Sequence, residues 1–216
     1  MIAIPEVVEQ IVARSPFLEE VLASGLINHS ALARKIRPEI EQKLYKDVQL
    51  GAIIIALNRL SKRLGNTSTQ LPAIVESMGD ISLRSNIVSF TFANSPTLRK
   101  KQAKLLDEVS HIPNSFLTVT DGVFETAFFA SNSVAPYIDS LFEGERLKKK
   151  ITNLSSITIL IPEAALEIPG VYYTILKKLA WGGVNFIEVV SSFTELTIFI
   201  EQKNVERAFG LLNLKD

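Results

Sequence analysis

Hydrophobic positions along the first 65 residues recur at three- and four-residue spacings, the period of one buried helix face. Val8, Ile11, Val12, Leu18, Val21 and Leu22 form the first series, and Pro5 suits its first helical turn. Ser15-Pro16 is expected to interrupt that run, because a residue before proline is pushed out of the α region, and Gly25 to close it. A second helix is predicted after Asn28, with Leu32, Ala33 and Ile36 inward and Pro38 restarting it around Ile40 and Leu44. A third runs from Val48 to Leu64, its stripe made by Leu50, Ile53, Ile54, Leu57, Leu60 and Leu64. Residues 66–80 read as a linker, since the stretch from Gly65 to Pro72 is small, polar and ends in proline.

From Ile81 the period changes, and strands alternate with helices in two passes. In the first, Ile87–Phe92 is a strand and Leu98–Val109 a helix. Phe116–Thr120 and Val123–Ala130 follow as a hairpin turning at Asp121-Gly122, and Val134–Phe142 as a second helix. In the second, Ile157–Ile161 is a strand and Val171–Ala180 a helix closed by Gly182-Gly183. Val184–Val190 and Leu196–Ile200 are strands, and a last helix carries Val205, Ala208, Phe209 and Leu212 behind Asn204 as N-cap. A βαββαβ unit repeated roughly every 70 residues is the ferredoxin-like arrangement. The expected fold class is therefore α+β: an all-α domain over 1–65, the linker, and two ferredoxin-like units over 81–150 and 151–216. The second pass shows no last strand. Ile81–Arg84 is the segment that could fill its edge and interleave the two units, whereas an open edge would invite another chain.

Composition narrows the chemistry. The 216 residues contain no cysteine, which removes disulfides, thiolate metal sites and a cysteine nucleophile. Net charge is zero, so a nucleic-acid or membrane partner would need a local patch. The N-terminus lacks a basic region and the apolar runs are short, so neither a signal peptide nor a membrane partner is expected, and the cytoplasm is the expected location. His29 and His111 stand apart without nearby acid ligands, so no metal is expected, and no phosphate-binding glycine loop or serine elbow occurs. No cofactor and no catalytic residue is expected. The basic run Arg146–Lys150 reads as a solvated stretch after a helix, and Tyr172, Tyr173 and Trp181 as packing residues.

The stretch Glu167–Glu201 resembles an ACT domain of the aspartokinase type. Pro169-Gly170-Val171 enters a helix, Gly183-Val184-Asn185-Phe186-Ile187 starts a strand, and Ser191-Ser192 and Glu195 stand at the following hairpin. Over residues 81–150 the likeness is topological only, and no kinase motif is present. The resemblance implies a regulatory module that binds an amino acid or similar metabolite where two ACT units pair, hence a homodimer. It places the ligand at Ile168, Pro169, Gly170 and Val171, with Asn185, Phe186 and Ile187. Physical chemistry is compatible. Gly170 lets a ligand approach the backbone, the helix start suits a carboxylate, and Asn185 offers a donor and an acceptor. An ordinary turn accounts for Pro169-Gly170 equally well, and Asn185 can simply open a strand. The equivalent first loop, Ala93–Thr97, lacks the glycine and precedes a basic helix (Arg99, Lys100, Lys101, Lys104), so it reads as a structural partner.

Ser30–Ile36 and the helix from Val48 resemble the paired helices of a helix-turn-helix domain. Between Asn28 and Arg63 eight Lys or Arg face three Asp or Glu. Arg34, Lys35, Arg37, Gln49, Asn58 and Arg59 are the candidate DNA-contacting residues. Against this, the second helix is apolar from Gly51 to Leu57, and the connection Arg37–Asp47 is longer than the usual turn. A helical dimerisation or packing domain remains the other reading. The whole chain then reads as a non-catalytic, ligand-responsive regulator controlling transcription through its N-terminal domain. The alternative is a regulatory subunit that docks on a biosynthetic enzyme in trans, without DNA.

Overall fold

The computed structural model describes residues 3–67 and 79–213, in two compact units, Met1–Ala73 and Ile74–Asp216. Of the expected 66–80 linker, residues 68–78 lie outside the described residues.

The first unit contains α1 (Ile4–Ala13), α2 (Pro16–Ala23), α3 (His29–Leu44) and α4 (Leu50–Thr67). Ser15 is extended (φ −128°, ψ 97°), as the proline behind it requires, and it separates α1 from α2. Gly25 follows α2 at φ +71°, and Asn28 caps α3 by accepting from the Ala31 N–H at 3.0 Å. Pro38 does not restart the second helix: α3 passes through it. Its buried stripe Leu32, Ala33, Ile36 and Ile40 continues on both sides, and that burial outweighs the one lost hydrogen bond, about 3 kcal/mol in an isolated helix. The connection to α4 is consequently 45–49, shorter than the expected Arg37–Asp47, and turns on Tyr45 at φ 51°. α4 packs against α1, α2 and α3 through Ile53, Ala56, Leu57 and Leu60.

The second unit runs β1 (Ile81–Ala93), α5 (Leu98–Ser110), β2 (Leu117–Asp121), β3 (Glu125–Ser131), α6 (Ala135–Leu141) and β4 (Leu147–Leu160). It continues with α7 (Glu163–Leu166), α8 (Val171–Trp181), β5 (Glu188–Ser191), β6 (Glu195–Glu201) and α9 (Val205–Leu212). The strands form one antiparallel sheet in the order β2-β3-β1-β4-β6-β5. β1 and β4 are far longer than the periodicity predicts, because each serves two neighbourhoods. Residues 87–93 of β1 lie between β3 and the first part of β4, while Ile81–Arg84 pair with Ile159–Ser156 of β4, whose other side is held by β6. The segment 81–84 thus fills the edge that the second pass lacked. The changeover falls at Asn86 (φ 60°) and Asn153 (φ 57°), left-handed positions that asparagine tolerates better than other side chains, and the β1–β4 register shifts there.

Two expectations change. The Arg146–Lys150 run is solvent-exposed, as its composition suggests, but Leu147–Lys150 form the start of β4, with Lys148 paired to Glu125 at 2.6 Å and Lys150 to Asp139 at 2.7 Å. Its lysines lie where β4 pairs with β1 alone, the kind of open edge that charge protects. The first hairpin turns at Val123-Phe124 rather than Asp121-Gly122, since Gly122 N–H bonds Glu125 O at 2.8 Å. A Cβ at Gly122 would come 2.9 Å from that carbonyl, which explains the glycine.

One sheet face carries the helices: Leu98, Leu105 and Val109 of α5 and Ile138 of α6 pack on Phe90, Phe92 and Phe128. The other closes on itself. Phe129 of β3 and Phe199 of β6 are three strands apart, about 14 Å in a flat sheet, yet their rings stack at 4.0 Å over Ile87 and Leu154. The sheet must therefore curl.

Candidate functional site

The Gly170 turn links α7 to α8. Gly170 is the N-cap of α8 at φ +98°, a conformation that favours glycine, and among the described residues no side chain caps the helix start. Ile168 is half-buried, Pro169 exposed and Val171 buried. Just beyond, the Tyr172 hydroxyl and Ser191 Oγ are hydrogen-bonded at 2.9 Å, which brings the β5–β6 hairpin to the start of α8. Asn185 is exposed, and Phe186 and Ile187 are half-buried. They follow the far end of α8, about 16 Å away for an 11-residue helix, so one chain does not bring them together with Gly170. What meets the turn instead is Ser191, in the serine pair read as part of the hairpin.

The loop in the equivalent place after β1 is built otherwise. Ser95 Oγ accepts from the Leu98 N–H at 3.0 Å, capping α5. Glu145, whose side chain is 6% exposed, takes the Ser95 hydroxyl on Oε2 and the Thr97 hydroxyl on Oε1, both at 2.6 Å, with Lys101 Nζ at 3.3 Å. These two hydroxyls, and then Lys101, hold its carboxyl below the usual range. Asn94 ties the loop to the hairpin: its Nδ2 donates to Gly122 O at 2.8 Å, and its Oδ1 accepts from the Thr126 hydroxyl at 2.8 Å. Beside it is an open cleft of about 370 Å³ lined by Asn94, Ser95, Pro96, Leu98, Arg99 and Thr126. Sequence reasoning missed this site. The serine, the threonine and the distant glutamate carry no spacing signal, and only the fold brings Glu145 across 48 residues to Thr97.

Both hairpins project apolar tips: Val123 is 85%, Phe124 80% and Phe193 72% exposed. On the helix-free side, burial and then the Glu125 charge push the Glu188 carboxyl up.

In the helical unit, Arg34, Lys35 and Arg59 are exposed, as is Gln49 ahead of α4. Arg37 is engaged with Glu41 at 2.7 Å, and Asn58 Oδ1 with His29 Nδ1 at 2.6 Å, joining α3 to α4. Glu41 also accepts from the Val48 N–H at 3.0 Å. That bond, and then Arg37, lowers its carboxyl pKa. Among the described residues no group of three His, Asp or Glu is placed to hold a metal, and no helix is long and apolar enough to cross a membrane.

No family's sequence pattern matches the chain, and no curated protein matches it in sequence. Solved structures do. The ligand-free regulatory subunit of aspartate kinase from Thermus thermophilus matches with a TM-score of 0.53 at 15% identity, covering 64% of this chain and 99% of that one. The aspartate kinase of Clostridium acetobutylicum, described as allosteric, gives 0.52 at 13%, with 64% of this chain and 34% of that one covered. Escherichia coli aspartokinase III in complex with lysine and aspartate gives 0.50 at 13%, covering 64% and 33%. The matched share is close to what the sheet unit makes up, so the sheet unit has the fold of the regulatory part of aspartate kinases.

Proposed function

We propose that this chain is a non-catalytic regulator whose sheet unit consists of two ferredoxin-like ACT units sharing β1 and β4. It binds an amino acid or similar metabolite at the Gly170 turn. The observation that carries the reading is the likeness to a free-standing regulatory subunit along almost its whole length. The uncapped start of α8 supports it, because the free N–H groups and the helix dipole there suit a carboxylate. Ile168, Pro169, Gly170 and Val171 form one side of the pocket. Asn185, Phe186 and Ile187, at the far end of α8, reach a ligand only from a second copy, so the functional form is a homodimer. A thermal-shift screen of the standard amino acids tests this. A ligand at about 100 times its Kd adds about 2.7 kcal/mol. No shift with any of them at millimolar concentration removes the sensing function.

The same likeness favours a second reading for the output: docking in trans on a biosynthetic enzyme, as expected of a separate regulatory subunit. Control of transcription rests on exposed Arg34, Lys35, Gln49 and Arg59, and is weakened because Arg37 and Asn58 already have intrachain partners. Salt-dependent retention on DNA, against pull-down of an enzyme, separates the two.

A further inference from the structure

The loop between β1 and α5 is fastened on both flanks. Asn94 binds the β2–β3 hairpin on one side, and on the other Ser95 and Thr97 bind a carboxylate 50 and 48 residues ahead in the chain. That carboxylate belongs to Glu145, in the strap between α6 and β4. The strap is tied down again where Lys101 Nζ donates to Glu143 O at 2.7 Å, and where the Ala93 N–H donates to Arg146 O at 3.0 Å. The same Ser95 lines the 370 Å³ cleft.

We propose that Glu145 is a built-in clasp: a tethered carboxylate that fills the cradle of Ser95, Thr97 and Lys101 and holds the mouth of the cleft in one shape without any external ligand. Charged hydrogen bonds at 2.6 Å from two hydroxyls, converging on one carboxylate whose side chain is 6% exposed, are among the stronger that a folded chain makes. Two links would loosen first on release: the Leu98 N–H on Ser95 Oγ and the Lys101 N–H on Thr97 O. The consequence rests on the function proposed above. With the clasp shut, the first half is the fixed frame against which the Gly170 half responds to its ligand.

Amide hydrogen exchange on the full chain, unliganded, tests the clasp. In Glu145→Ala the Leu98 and Lys101 amides should exchange about tenfold faster, with the β3–β1–β4 core amides unchanged. Sodium acetate at tens of millimolar should restore protection, and sodium chloride at equal ionic strength should not. Unchanged exchange at those two amides, equal acceleration throughout the sheet unit, or failure of acetate to restore protection each overturns the clasp. Should Glu145→Ala fold poorly, Thr97→Val removes one of the two hydroxyls and leaves the Ser95 cap. It should show the same local pattern at about threefold, and no local change overturns the clasp as well. Exchange at Val171–Tyr173 with and without an amino-acid mixture reads the Gly170 site separately. Its failure would sink the ligand reading and leave the Leu98 and Lys101 result standing.

Discussion

The two loops that follow β1 and β4 occupy equivalent places in the two halves of one curled sheet, and they are finished in opposite ways. After β1, serine caps the helix and a buried glutamate braces the serine. After β4, a glycine at positive φ starts the helix, and among the described residues no side chain caps it. Equal topology therefore does not give equal chemistry: one loop caps its helix with a serine hydroxyl that a carboxylate braces, and the other starts its helix on a glycine.

The strongest way to challenge that comparison is to strike the part the halves share. Phe129 and Phe199 stack across the middle, so Phe129→Ala and Phe199→Ala should each cost about 3–5 kcal/mol in urea-induced unfolding. A large inequality would show that the halves are not equivalent in the core either. Next, Glu145→Ala should cost about 2 kcal/mol by the same measurement, from the loss of charged hydrogen bonds. Gly170→Ala should cost about 1 kcal/mol through left-handed strain. A cost above that of Glu145→Ala would reverse the contrast.

The smallest effects should appear in pH dependence, with opposite signs in the two halves. Glu145 has a lowered folded pKa, so its stabilisation is present above the ordinary glutamate value and is lost as pH falls through the lowered one. Glu188 has a raised folded pKa. Relative to neutral pH it favours the folded state below the ordinary value, and that advantage disappears as pH rises through the raised one. Unfolding midpoints followed across the acid range should lose the first slope in Glu145→Gln and the second in Glu188→Gln. Identical profiles for both variants would refute the assignment.

Much of the framework was readable in the residues. The helix breaks at Ser15-Pro16 and Gly25 and the cap at Asn28 came from local backbone rules that need no tertiary context. The strand–helix alternation did too, because buried faces impose a period. Pro38 was misjudged for the converse reason: its local cost is real, but a continuous buried stripe on both sides overrode it. The true hairpin tip, Val123-Phe124, escaped because Asp121-Gly122 is the stronger turn pair by composition, while strand register decides which residues face across the ladder.

Read alone, the residue pattern gives the order and approximate positions of most helices and strands, the doubling after Ile81, and Gly170 at a helix start. Those features depend on neighbours within a few positions. Only tertiary structure decided that β1 and β4 are each shared between the two halves, that Phe129 meets Phe199, and that Glu145 closes on Ser95 and Thr97 while Asn185 lies a helix length from Gly170. Such pairings are set by how a twisted sheet curls and where its long strands change partners, and no spacing along the chain encodes that distance in space.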